Sequence, residues 1–115
     1  NETEAEFYTG IKITNEKEAK QAAVKLINLG IRKVIITLGE KGLFYFDGIE
    51  EIYIKACDVK AIDTTGAGDA FNGGLAFGLS KEKPIKECLE LANKVAGIST
   101  MKLGAGDAMP FFKDI

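Results

Sequence analysis

The segment from Asn15 to Leu29 is patterned for a helix, stops at Gly30, and gives way almost at once to the β-branched run Val34-Ile35-Ile36-Thr37. That juxtaposition constrains the fold more than any other feature. Asn15 is a good N-cap with Glu18 placed for a capping box, Ala19, Ala22, Ala23, Leu26 and Ile27 share one face, and Gly30 suits the position after the C-cap. A helix and a strand joined by so short a link bury their apolar faces against each other, which points to layered α/β architecture. The run from Arg32 to Gly39 does not alternate, and so predicts a strand buried on both faces, as in a parallel sheet.

Downstream, "GLFYF" and "IEEIYIKA" flank Asp47-Gly48 and predict a β-hairpin. "VKAI" is a further short strand candidate. Two helices should follow. One runs from about Gly68 to Leu79, is small or apolar nearly all round, and is expected to be buried. The other starts near Pro84, a favoured first helical residue, with Ile85, Cys88, Leu89, Ala92, Val95 and Ala96 on one stripe. Lys86, Glu87, Glu90 and Lys94 fall on its wet side. The 115 residues fit a single domain, with 46% hydrophobic and 28% charged residues, as in water-soluble globular chains. A net charge of -2 disfavours non-specific nucleic-acid binding, and no run is long enough to span a membrane. Cys57 and Cys88 form no CxxC pair and the chain has no histidine. A zinc site is thereby disfavoured, reduced cysteines in the cytoplasm are expected, and any neutral-pH base is a carboxylate, lysine, tyrosine or cysteine. The first residue, Asn1, is not an initiator methionine and falls inside what reads as a motif, so the chain is expected to be a piece of a longer protein.

Three segments could carry chemistry. In "DTTGAGDAFNGG", residues 63–74, glycines sit where a helix begins, although glycine costs about 1 kcal/mol per interior helical position. A helix N-terminus presents unpaired amides and a partial positive charge, and Gly66 and Gly68 remove the Cβ atoms that would keep an anion away. Asp69 lies in the first turn beside them. Amides for developing negative charge next to a carboxylate that can take a hydroxyl proton suit phosphoryl transfer to an alcohol. A tight turn carrying an ordinary aspartate is the alternative. Gly73, Gly74 and Gly78 read as packing positions. "TLGEKG", residues 37–42, lies at the carboxyl end of the predicted strand, where α/β sheets bind ligands, or is simply a turn between strands. In "NETEAE", Asn1 and Glu4 are spaced to share a helical face and could serve a hydrated Mg²⁺ or phosphate oxygens; a frayed terminus is the other reading.

"DTTGAGD" resembles the D-T-x-G-A-G-D signature of the ribokinase (PfkB) family of carbohydrate kinases. "NETEAEFYTGIKI", "VIITLGEKG" and "AFNGGLAFGL" are similar to that family in the same order and at comfortable spacings. The resemblance extends over essentially the whole chain and implies the carboxy-terminal half of the ribokinase fold. That is a Rossmann-like layered sheet with flanking helices and a β-hairpin. It implies an ATP-dependent sugar kinase, with ribose the expected acceptor, the chain being its ATP-binding part and inactive alone. Another sugar or nucleoside kinase of the family, or a non-catalytic nucleotide-binding module, are the alternatives. No GxGxxG follows a strand, which disfavours a Rossmann dehydrogenase.

By the resemblance, Asp69 matches the catalytic base and contacts the sugar hydroxyl, while Gly66, Ala67 and Gly68 match the anion hole. Asn1 and Glu4 match an N-x-x-E motif linked to magnesium and phosphate. Thr37, Leu38, Gly39, Glu40, Lys41, Gly42, Gly68 and Asn93 match nucleotide contacts. Asp63, Thr65, Ser99, Lys102 and Gly104 match a loop that binds an activating potassium ion. "GAGDAMP" departs from the family's pattern there, because Ala108 offers no side-chain oxygen and Asp107 adds a charge. A homodimer in the cytoplasm is expected, with the sugar held mainly by residues outside this chain.

Overall fold

The computed structural model describes residues 1–56 and 66–101. They belong to two compact units, Asn1–Ala56 and Cys57–Ile115. The candidate strand at residues 59–62 lies outside the described residues.

The first unit opens with helix α1, Glu2–Thr9, then α2, Glu16–Asn28. Asn1 caps α1, its Oδ1 accepting from the Glu4 amide at 2.9 Å while the Glu4 carboxylate lies 3.0 Å from the Asn1 backbone nitrogen. Asn1 and Glu4 therefore form a capping box, and α1 is an element that the sequence pattern alone had not assigned. At its other end Lys25 reaches across from α2 to donate to the Thr9 carbonyl at 2.6 Å, placing a cation at the helix's negative end.

Helix α2 forms as expected. Asn15 Oδ1 accepts from the Glu18 amide at 2.9 Å. The Glu18 carboxylate does not return to Asn15; it takes the amide and the hydroxyl of Thr14. Those bonds, the hydroxyl first, hold Glu18 below its ordinary value. Gly30, at φ 104, terminates the helix, its amide bonding to the Ile27 carbonyl and that of Ile31 to Leu26, the paired bonds of a Schellman ending.

Strands β1 (Val34–Thr37), β2 (Leu43–Phe46) and β3 (Glu51–Ile54) form one sheet in the order β1-β2-β3. Both pairings are antiparallel, with Ile36 opposite Phe44 and Phe44 opposite Tyr53. This corrects the expectation of a parallel arrangement for β1. An apolar run reads the same in either orientation, and the short turn between β1 and β2 leaves room only for antiparallel pairing. β1 alternates, burying Val34 and Ile36 and half-exposing Ile35 and Thr37; it is the central β2 whose Leu43, Phe44 and Tyr45 are buried on both faces. The hairpin is present, with a loop in which the Asp47 carboxylate accepts from the amides of Ile49 and Glu50. The Tyr45 hydroxyl donates to Asp47 at 3.0 Å, and burial together with that bond pushes Tyr45 up to about 12. The core lies between helices and sheet, where fully buried Ala19, Ala22 and Ala23 let α2 approach Val34, Ile36 and Phe44.

In the second unit, α3 (Ala67–Ser80) and α4 (Ile85–Ser99) pack as a helical hairpin. Pro84 is the N-cap of α4 and not its first helical residue, so the helix begins one residue later than predicted, and Cys88, Leu89, Ala92 and Val95 are buried along the predicted stripe. Gly74 is required by that contact, since a Cβ there would lie 2.9 Å from Ala92 Cα. A Cβ at Gly78 would lie 3.0 Å from Cys88 Sγ. Gly73 has nothing described within 4 Å, so its predicted packing role is not seen. α3 is not buried all round either. Ala70, Phe71, Gly74 and Gly78 are buried, whereas Asn72, Gly73, Ala76 and Leu79 are exposed, because α4 covers one face only.

Candidate functional site

Gly66 has φ 80 and ψ 2, a left-handed conformation that a side chain adopts only with strain, and it is the N-cap of α3. The first intrahelical bond runs from the Ala70 amide to the Gly66 carbonyl at 2.9 Å. The amides of Ala67, Gly68 and Asp69 therefore precede the helical ladder, and a glycine cap has no side chain to occupy them. Gly68 is exposed, and a Cβ built on it meets no described atom within 4 Å. Its backbone is not left-handed. Nothing described within the protein demands glycine at 68. Asp69 is exposed in the same turn. Half-buried Gly66 and Ala67 with exposed Gly68 and Asp69 thus make a continuous edge: donors and partial positive charge beside a carboxylate.

Asn93 and Ser99 lie on α4. Asn93 is half-buried, and Ser99 is buried with its hydroxyl donating to the Ala96 carbonyl at 2.7 Å. Asp63, Thr65, Lys102 and Gly104 of the candidate potassium loop lie outside the described residues, as do Asp107 and Ala108. Cys57 does too, whereas Cys88 is a free, buried thiol.

In the first unit, Thr37 ends β1 and leads through Leu38 into a single 3-10 turn, Gly39–Lys41, closed by Gly42. The Leu38 amide donates to the Gly42 carbonyl at 2.8 Å. Gly39 and Gly42 have φ 59 and 103, and a Cβ on Gly42 would fall 2.0 Å from the Ile54 carbonyl oxygen, so the turn lies directly against β3. A cleft of about 480 Å³ is bordered by Glu2, Thr14, Leu38, Glu40, Lys41 and Tyr53. Asn1 and Glu4 border a different hollow, of about 320 Å³, beside Tyr8 and Ile35. Asn1 and Glu4 therefore do not share a cavity with the turn, and of the first segment Glu2 borders the turn's cleft. Glu2, Thr14 and Tyr53 were not singled out by spacing or motif; Tyr53 comes there on the second strand of the hairpin, opposite Phe44.

No group of three acidic, histidine or cysteine side chains placed to hold a metal ion occurs among the described residues. Glu4, with its side chain 72% exposed, supplies one carboxylate, of which Oε2 already meets the Asn1 backbone nitrogen. One carboxylate suits Mg²⁺, which binds one or two carboxylates while keeping waters and phosphate oxygens. No described helix is long and apolar enough to cross a membrane.

Residues 1–111 match the model of the pfkB family carbohydrate kinases. The chain belongs to that family. It is 44% identical over 110 residues to the ribokinase of Haemophilus influenzae, covering 96% of this chain and 36% of that protein. The structure of Arabidopsis thaliana ribokinase complexed with ribose and ATP is 34% identical and superposes with a TM-score of 0.93, over 98% of this chain and 37% of that one. A fructokinase of Vibrio cholerae in a fructose-, ADP- and calcium-bound form is also 34% identical, with a TM-score of 0.81, again over 98% and 37%. The ribokinase fold is therefore shown, as a partial fold: the chain spans little more than a third of the length of these relatives.

Proposed function

We propose that this chain is the nucleotide-binding, catalytic-base part, from the carboxy-terminal half, of an ATP-dependent ribokinase. The reaction transfers the γ-phosphoryl of ATP to the primary hydroxyl of ribose, giving ribose 5-phosphate and ADP. The observation that carries this reading is the α3 N-terminus: a left-handed glycine cap, an open glycine and an exposed aspartate in one turn. The amides of Ala67, Gly68 and Asp69 stabilise the charge that builds on the phosphoryl oxygens, and Asp69 accepts the hydroxyl proton of the sugar. Thr37 to Gly42 and Asn93 contact the nucleotide. Glu4 with Asn1 would hold Mg²⁺, which when bound would neutralise phosphate charge. Potassium at Asp63, Thr65, Ser99, Lys102 and Gly104 rests on the family resemblance alone. A cytoplasmic homodimer belongs to the same proposal. The fructokinase likeness supports a second reading, a kinase of the same family acting on another sugar.

The chain alone is expected to bind ATP but not to phosphorylate ribose, because in-line positioning of the alcohol provides about 7–11 kcal/mol of barrier lowering and needs groups that grip the sugar. Calorimetry with ATP, and an assay for ribose 5-phosphate in the presence of ATP, Mg²⁺, K⁺ and ribose, test both halves of that statement. Absence of ATP binding would sink the nucleotide role. Turnover near 1 s⁻¹, on the order of an ordinary enzyme rate, would show that this part suffices by itself.

A further inference from the structure

The turn from Leu38 to Gly42 is built on two left-handed glycines, a composition that gives little intrinsic rigidity. Two side chains from other parts of the sequence hold it. The Lys41 ammonium donates to the Thr14 carbonyl at 2.8 Å. Thr14 is itself fixed, its amide and hydroxyl both donating to Glu18 in the first turn of α2. From the opposite side the Tyr53 hydroxyl, on β3, donates to the Lys41 carbonyl. The turn is thus tied to the start of α2 through its side chain and to the sheet through its backbone. Lys41 is exposed and Tyr53 is 41% exposed, so neither tether is part of the buried core.

We propose that Tyr53 and Lys41 are positioning residues for the nucleotide, setting ATP affinity by holding the Leu38–Gly42 turn in its binding shape. This rests on the reading of that turn as a nucleotide contact. The Lys41 side chain then acts through its bond to Thr14 and not as a phosphate ligand, leaving the backbone of the turn as the nucleotide contact. Tyr53→Phe removes one hydroxyl and keeps the ring; Lys41→Met removes the ammonium and keeps the stem.

In a complete kinase carrying this sequence, each variant is expected to raise the ATP Kd and the KM for ATP about three- to tenfold, the effect of one lost hydrogen bond. kcat and the KM for the sugar stay within about twofold, a split that general loosening of the fold would not produce. Because both act on one turn, the double variant falls short of the product of the single effects. An ATP Kd unchanged in Tyr53→Phe overturns the inference. So does a parallel fall in kcat and rise in sugar KM, or a Lys41→Met effect that far exceeds Tyr53→Phe and fades in high salt, the mark of a direct phosphate contact. If the unmutated kinase binds ATP normally while both variants are silent, only this inference fails; if Thr37 and Gly39 variants also leave ATP binding intact, the nucleotide reading of the turn fails with it.

Discussion

Gly68→Ala separates a glycine kept for packing from one kept for a ligand. Its backbone is not left-handed, and the added Cβ meets no described atom within 4 Å. Among the described residues, then, the methyl meets no opposition, and alanine's better helix propensity should leave stability unchanged or raise it by up to about 1 kcal/mol. Gly66→Ala is the internal contrast. At φ 80 it must hold a side chain in left-handed backbone, at about 1–2 kcal/mol. Function should respond the other way at 68. A methyl at the mouth of the amides displaces a bound phosphoryl group by about 1 Å, and a misplacement of that size can cost about 10²-fold in rate, or about 2.7 kcal/mol of barrier. The assay pairs urea unfolding with steady-state, sugar-dependent ADP release by the complete kinase. Unaltered kcat/KM in a stably folded Gly68→Ala would refute the anion site at α3. A destabilisation above about 1 kcal/mol would refute the claim that the position is free of packing demands.

Asp69→Asn, nearly isosteric, should lower kcat by about 10²–10⁴ and leave ATP affinity almost unchanged if Asp69 takes the hydroxyl proton; turnover at the parent rate would place the base elsewhere. Gly74→Ala puts a Cβ 2.9 Å from Ala92 Cα and should destabilise α3–α4 by about 1–3 kcal/mol, whereas Gly73→Ala, with no described atom in reach, should stabilise by up to about 1 kcal/mol. Equal effects in thermal melts would contradict the packing described. Glu18 and Asp47 lie below their ordinary values of 4.5 and 3.8, Glu18 chiefly through the Thr14 hydroxyl and Asp47 through the Glu50 and Ile49 amides. Their stabilising contributions are complete above those ordinary values and are lost as pH falls through the lower folded ones. Between about pH 6 and pH 3, urea midpoints should therefore fall more steeply for the parent than for a Glu18→Gln, Asp47→Asn variant; parallel slopes would disprove the linkage.

What could be read from the sequence was what neighbouring residues decide among themselves. Asn15 reaches an amide three places on, Gly30 alone tolerates the backbone that ends α2, and Asp47 folds its carboxylate onto the amides two and three places on. The α4 stripe follows from helical periodicity, and the glycine-rich start of α3 from the scarcity of other reasons to put glycine there. None of these needs a partner from far along the chain. The orientation of β1, the two-sided burial of β2 and the one-sided burial of α3 do, since an apolar segment carries no mark of what will cover it. The same holds at the candidate site. Lys41 found a carbonyl 27 residues away, and the Tyr53 hydroxyl found the Lys41 carbonyl 12 residues back across the β2–β3 pairing. A side chain several ångströms long has many acceptors in reach, and only the closed tertiary structure leaves it one.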